Sequence, residues 1–170
     1  MRPDILRQIF YFAIYVLLQL PVLYRLVLFD SAFGFFYVGF ILFLPRLQNR
    51  MTSLLLAFLS GLLVDIFSNT LGIHALASTL IAYVRIPWLV FTRGVDDDDA
   101  PISVFALGLS GLLLYVIPLI FLHHSVIFLV EHGSFSLFGT TLKRIVLSTL
   151  FTSTLLVTTN YLLATKRRRL

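Results

Sequence analysis

Long apolar runs separated by short polar interruptions divide the chain into six predicted membrane helices, at residues 5–24, 32–45, 52–67, 72–91, 102–122 and 141–164. Pro3 and Asp4 suit a first helical turn, and Pro21 lies near the far end of the same span. Pro45 stops the second span ahead of a short basic loop holding Arg46, Gln48, Asn49 and Arg50. Ser68, Asn69, Thr70 and Gly72 break the third from the fourth in a very tight turn. The second and third spans are shorter than the roughly 20 residues a lipid-exposed helix needs, which predicts that they pack inward.

Composition fixes the solvent. Hydrophobic residues make up 59% of the 170 positions and charged ones 12%, about half the charge of a soluble domain. The expected fold is therefore an all-α integral membrane protein, a single six-helix bundle over residues 1–170. With no cysteine, neither disulfides nor thiolate metal sites are available. No small-x-small cleavage site follows the first apolar run, so that run is expected to be retained as a helix.

The net charge of +5 would suit nucleic acid in a soluble protein, but here the cations flank apolar spans, and lipid is the expected partner. Six spans with both termini inside leave ten of the thirteen cations on the cytoplasmic face, Arg85 and the four at residues 166–169 among them. Arg25, Lys143 and Arg144 fall outside. The opposite orientation would expose the basic tail.

Scarcity of charge makes each intramembrane exception readable. Asp65 shares a helical face with Phe58, Gly61 and Ser68, and Ala57 with Gly61 forms a small-xxx-small pair on the adjoining stripe. An ionised carboxylate in lipid needs a partner, and a buried structural pair is the favoured reading. Arg85 lies about 20 Å of helix beyond the turn, too far to serve, so Lys143 and Arg144 are the expected charge partners of Asp65. Gly108 with Gly111, and Ala106 with Ser110, predict a second close-contact face on the fifth span. The hydroxyl pairs Ser148 with Thr152 and Thr149 with Ser153 predict interhelical hydrogen bonds from the sixth.

Catalytic chemistry finds little support. His123, His124, Glu131 and His132 are placed in an outer loop without metal-ligand spacing, as polar residues at a helix end. Asp96, Asp97, Asp98 and Asp99 read as a solvated run, since adjacent carboxylates lack the spacing of a calcium loop. Phosphate-loop, nucleophile-elbow, dinucleotide and zinc-protease motifs are absent from the sequence. No enzyme activity, cofactor or metal is expected.

Pro45 before the basic loop, Gly61-Leu-Leu-Val-Asp65, and the Thr70-Leu-Gly72 break leading to Tyr83 resemble the bacterial rod shape-determining MreD family. The likeness extends over the whole chain in length and span count; the acidic run and basic tail fall outside the shared pattern. It implies an inner-membrane component of the cell-elongation machinery that supports lateral peptidoglycan synthesis. The implied partners are the bitopic MreC, the actin-like MreB, the glycosyltransferase RodA and a class B penicillin-binding protein. Pro45, Gly61, Asp65 and Gly72 carry over as scaffold positions, with no reaction implied. The family is also held to share the six-helix fold of the substrate-binding subunits of energy-coupling-factor vitamin transporters. That sets the rival expectation, a ligand cavity near Asn69, His74 and His123. On the scaffold reading, Gly61→Leu is expected to weaken partner binding while leaving insertion intact.

Overall fold

The computed structural model describes residues 10–17, 19, 27–93, 102, 104–132 and 138–167. The elements are a π-helical stretch Ala13–Leu17 (α1), strands Val27–Leu28 (β1) and Ala32–Phe33 (β2), and helices Val38–Leu42 (α2), Arg50–Ser68 (α3), Ile73–Arg93 (α4), Val104–His132 (α5) and Phe138–Arg167 (α6). The chain is mostly helical, and four helices, α3 to α6, are long and apolar enough to cross a membrane. Much of the first predicted span, Arg25, the acidic run at 96–99 and Arg168 and Arg169 lie outside the described residues.

Helices α3 and α4 follow the sequence closely because their ends are capped. Asn49 accepts from Met51 N at 2.9 Å to start α3. At the far end Asn69 takes the left-handed conformation, φ 54° and ψ 43°, and both its N–H and that of Thr70 bond to the Asp65 carbonyl.

The predicted span 32–45 is corrected. It contains the second strand of a hairpin whose first strand precedes it, an extended stretch and a five-residue helix, with Val27 paired to Phe33 and Leu28 to Ala32. Non-helical backbone inside a bundle needs hydrogen-bond partners from elsewhere, and three polar side chains supply them. Phe33 N donates to Ser148 Oγ at 2.9 Å and Phe35 N to Thr152 Oγ1 at 3.2 Å. Thr152 returns a bond to Phe33 O, and Gln19 donates to Gly34 O while accepting from Phe36 N and Tyr37 N. The predicted hydroxyl pair on α6 thus serves unpaired backbone. Thr152→Val, which keeps the shape and removes both bonds, is expected to lower the unfolding free energy by about 1–3 kcal/mol. Thr154→Val, on an exposed hydroxyl bonded within its own helix, should change it by less than about 0.5 kcal/mol in the same titration.

The carbonyl end of α2 is closed by two buried side chains. Tyr115 donates to Leu42 O at 2.9 Å, and Arg85 donates to Leu44 O at 2.8 Å and Pro45 O at 3.1 Å. Arg85, 1% exposed, is therefore an interior residue rather than a flanking cation. Its positive charge sits where helix carbonyls gather negative potential.

Helix α5 carries two irregularities. Gly108 breaks it at φ 68° and ψ 167°, a region open essentially to glycine, and among the described residues no atom beyond its own helix backbone comes within 4 Å of where its Cβ would stand. It puts a bend within the stretch the sequence reads as a close-contact face, and leaves Gly108 exposed there. Pro118 removes the N–H that would reach the Leu114 carbonyl, and Trp88 Nε1 of α4 donates to that carbonyl at 3.1 Å. The main hydrophobic core joins α1, the segment 36–44 and the facing sides of α3, α4 and α5, with Leu156 from α6.

Candidate functional site

Asp65 sits in the last turn of α3, 2% exposed, and its carboxylate crosses the tight turn to close the start of α4. Oδ1 accepts from the Thr70 hydroxyl and from His74 N at 3.0 Å, and Oδ2 accepts from Ala75 N at 2.8 Å. A carboxylate on the first free N–H groups of a helix is stabilised by both hydrogen bonding and the helix dipole. The expectation of Lys143 or Arg144 as its charge partner is corrected. Lys143 is exposed, and the Arg144 guanidinium lies over the Phe33 ring, 5.8 Å from its centroid. The α4 N-terminus already supplies the positive potential they were expected to give.

The small-residue face of α3 is likewise spent within the chain. A Cβ on Gly61 would stand 2.5 Å from His74 O and 2.6 Å from Ala75 Cα, so only glycine lets the two helices approach this closely. Ala57 is fully buried on the same packed side. Gly72, at φ 82°, completes the turn between them. Gly111, half-buried on α5, and exposed Gly108 do not join this contact.

Beside this turn lies a cleft of about 280 Å³. Phe33, Phe35 and Phe128 form its aromatic wall, while Gln19, Thr70, His74 and Glu131 bring polar groups to it. Phe33 and Phe35 stack with ring centroids 6.3 Å apart. Of the residues expected around a cavity here, His74 lines it; Asn69 is exposed at the helix cap, and His123 lies behind Tyr37.

The histidines move most relative to the sequence reading. His123 and His124 fall inside α5, which runs on to His132 where the sequence predicted an end at 122. Both are fully buried, not exposed in a loop. Tyr37, just before α2, gathers them into a network. Its hydroxyl contacts His123 Nε2 at 2.7 Å and His74 Nδ1 at 3.0 Å, and accepts from Ser78 Oγ at 3.4 Å. His124 Nδ1 lies 3.2 Å from Thr149 Oγ1. The Phe35 ring stands among the three imidazoles, with centroid distances of 5.3, 6.1 and 5.1 Å to His74, His123 and His124. Glu131 is exposed at the cleft, and among the described residues no His, Asp and Glu group has the geometry to hold a metal ion.

Tyr37 and Gln19 had no place in the sequence reading. A lone amide inside an otherwise apolar run and a tyrosine between Phe36 and Val38 were the available signals. Comparison of the chain with family models, curated proteins and solved structures returned no match.

Proposed function

We propose that the chain is a non-catalytic scaffold of the bacterial cell-elongation machinery, an MreD-like protein of the inner membrane with both termini in the cytoplasm. What supports this reading is the role of the residues that carry the resemblance. Gly61, Asp65 and Gly72 build one close-packed α3–α4 hairpin, and the Pro45 carbonyl anchors buried Arg85, so all four positions serve the framework. On this reading an MreC-like bitopic partner would contact α5 around its bend, where Phe105, Gly108 and Leu109 are exposed and small side chains let a helix approach. MreB, RodA and a class B penicillin-binding protein would join through that assembly.

A second reading, a substrate-binding subunit of an energy-coupling-factor vitamin transporter, draws on the cleft beside His74. Depletion in a rod-shaped host separates the two. Rounding and lysis, with co-purification of an MreC-like protein, are the expected results. Normal shape with lost vitamin uptake, and a vitamin retained through purification, would replace the scaffold with the transporter subunit.

A further inference from the structure

The cleft beside the α3–α4 turn has a chemical character that the framework around it does not use. It lies at one end of the bundle, where that turn meets Glu131, the last residue but one of α5. Among the described lining residues, Glu131 is the only one of the Asp, Glu, Lys and Arg types, and its exposed carboxylate gives the cleft a negative edge. Phe33 and Phe35 stand within 10° of parallel, and Phe128 meets them at 53° and 51°, so the aromatic wall turns a corner. Ring faces carry negative potential. The Arg144 guanidinium over Phe33 shows that this wall accepts a cation, although Arg144 does not itself line the cleft.

His74 adds a second, independent feature. It is 5% exposed and lines the cleft, its Nδ1 is taken by the Tyr37 hydroxyl, and among the described residues its Nε2 has no hydrogen-bond partner. A ring nitrogen kept this far from water without a partner is costly. Tyr37 can either donate to or accept from Nδ1, so Nε2 is an acceptor in one tautomer and a donor in the other. A hydroxyl, which both gives and takes a hydrogen bond, matches either. Other guests fit less well. An anion would face Glu131 with no lining cation to hold it, and a wholly apolar guest would cover Glu131 and His74 Nε2 without pairing them. No His, Asp and Glu group among the described residues is arranged for a metal ion.

We propose that this cleft binds a small organic cation of the amino-alcohol class. Its ammonium group rests against the aromatic wall and Glu131, and its oxygen meets His74 Nε2. The volume of about 280 Å³ holds a group of this kind and falls just short of the roughly 300–1,000 Å³ of sites for larger ligands. Of the neighbouring charges, Asp65 adds to the attraction from behind the α4 N-terminus, and Arg144 opposes it from α6. A free solute and the amino-alcohol headgroup of a membrane lipid offer the same chemistry, an ester oxygen taking the place of the hydroxyl in the lipid. The site goes beyond the scaffold reading and does not rest on it. Affinity is read on the purified protein and shape in cells, so either can fail alone.

Titration of the full chain in maltoside micelles tests the site, with choline as the probe and 3,3-dimethylbutan-1-ol as its uncharged copy. Choline should bind about tenfold more tightly, the scale of a desolvated contact between a cation and aromatic rings. Glu131→Gln, at an exposed position, should weaken choline by up to about fivefold, the limit for an exposed ion pair, and leave the alcohol unchanged. Phe33→Leu should likewise weaken choline more than the alcohol; if that variant fails to fold, Glu131→Gln decides. Absence of choline binding, equal affinity for the two probes, or a choline affinity that Glu131→Gln leaves unmoved overturns the proposal. Phosphatidylethanolamine added to the micelles then separates the sources. Displacement of choline supports the site with a lipid headgroup as its occupant, and no displacement supports it with a free solute. Equal displacement by phosphatidylglycerol, which carries no ammonium, overturns it.

Discussion

Asp65→Ala is expected to lower the unfolding free energy by several kcal/mol, because it strips the acceptor from two buried backbone N–H groups at about 1–3 kcal/mol each. His74 N and Ala75 N have no carbonyl one turn back to turn to, since the chain there is the turn itself. The Thr70 hydroxyl loses its acceptor in the same step. Asp65→Asn should fall between, as one side-chain carbonyl remains while the favourable charge at the helix start is lost, worth about 0.3–1 kcal/mol. Equilibrium unfolding in mixed micelles gives both values. Exchanging the charges, Asp65→Lys with Lys143→Glu and Arg144→Glu, should recover nothing. Recovery would restore the ion pair as the force that holds Asp65.

Gly61→Leu should prevent the α3–α4 hairpin from closing. The obstruction begins at the first added carbon, which would meet the His74 carbonyl and Ala75 Cα, both backbone atoms of α4 that cannot swing aside. Even Gly61→Ala must separate the helices, at the roughly 1–3 kcal/mol typical of overpacking. Separation also draws His74 N and Ala75 N away from Asp65, so the Gly61 and Asp65 effects should be less than additive. The expected readout for Gly61→Leu is loss of a monodisperse peak in detergent at wild-type expression temperature. This replaces the expectation that it would spare the fold and weaken only partner binding. A stable Gly61→Leu protein would show that the two helices can sit further apart.

The α3–α4 hairpin was legible because its signals are local. Asn49, Asn69 and Gly72 punctuate two apolar runs, and the observed ends differ from the predicted ones by at most two residues. The partner of Asp65 was not legible, since its N–H donors belong to residues whose side chains gave no hint, and charge arithmetic pointed to Lys143 and Arg144 instead. Hydropathy read 32–45 as a helix because it measures burial, whereas Gly34, Gly39 and the run of aromatics from Phe33 to Phe40 speak to backbone shape. The sequence sets His123 and His124 in a loop for a related reason. Adjacent histidines are unfavourable inside an apolar helix until Tyr37 and Thr149 are brought against them, and those contacts span 86 and 25 positions.

The extended stretch after β2 also imposes an order on biosynthesis. The acceptors for Phe33 N and Phe35 N are 115 and 117 residues downstream, so the ribosome finishes this segment long before its partners exist. Until α6 arrives, the Phe33 and Phe35 N–H groups lack these acceptors, and the segment is better held at the insertion machinery than released into lipid. Helix α6 is thus the one that lets the segment at 33–35 come to rest, and a chain cut short before Ser148 would leave that segment waiting for the quality-control proteases.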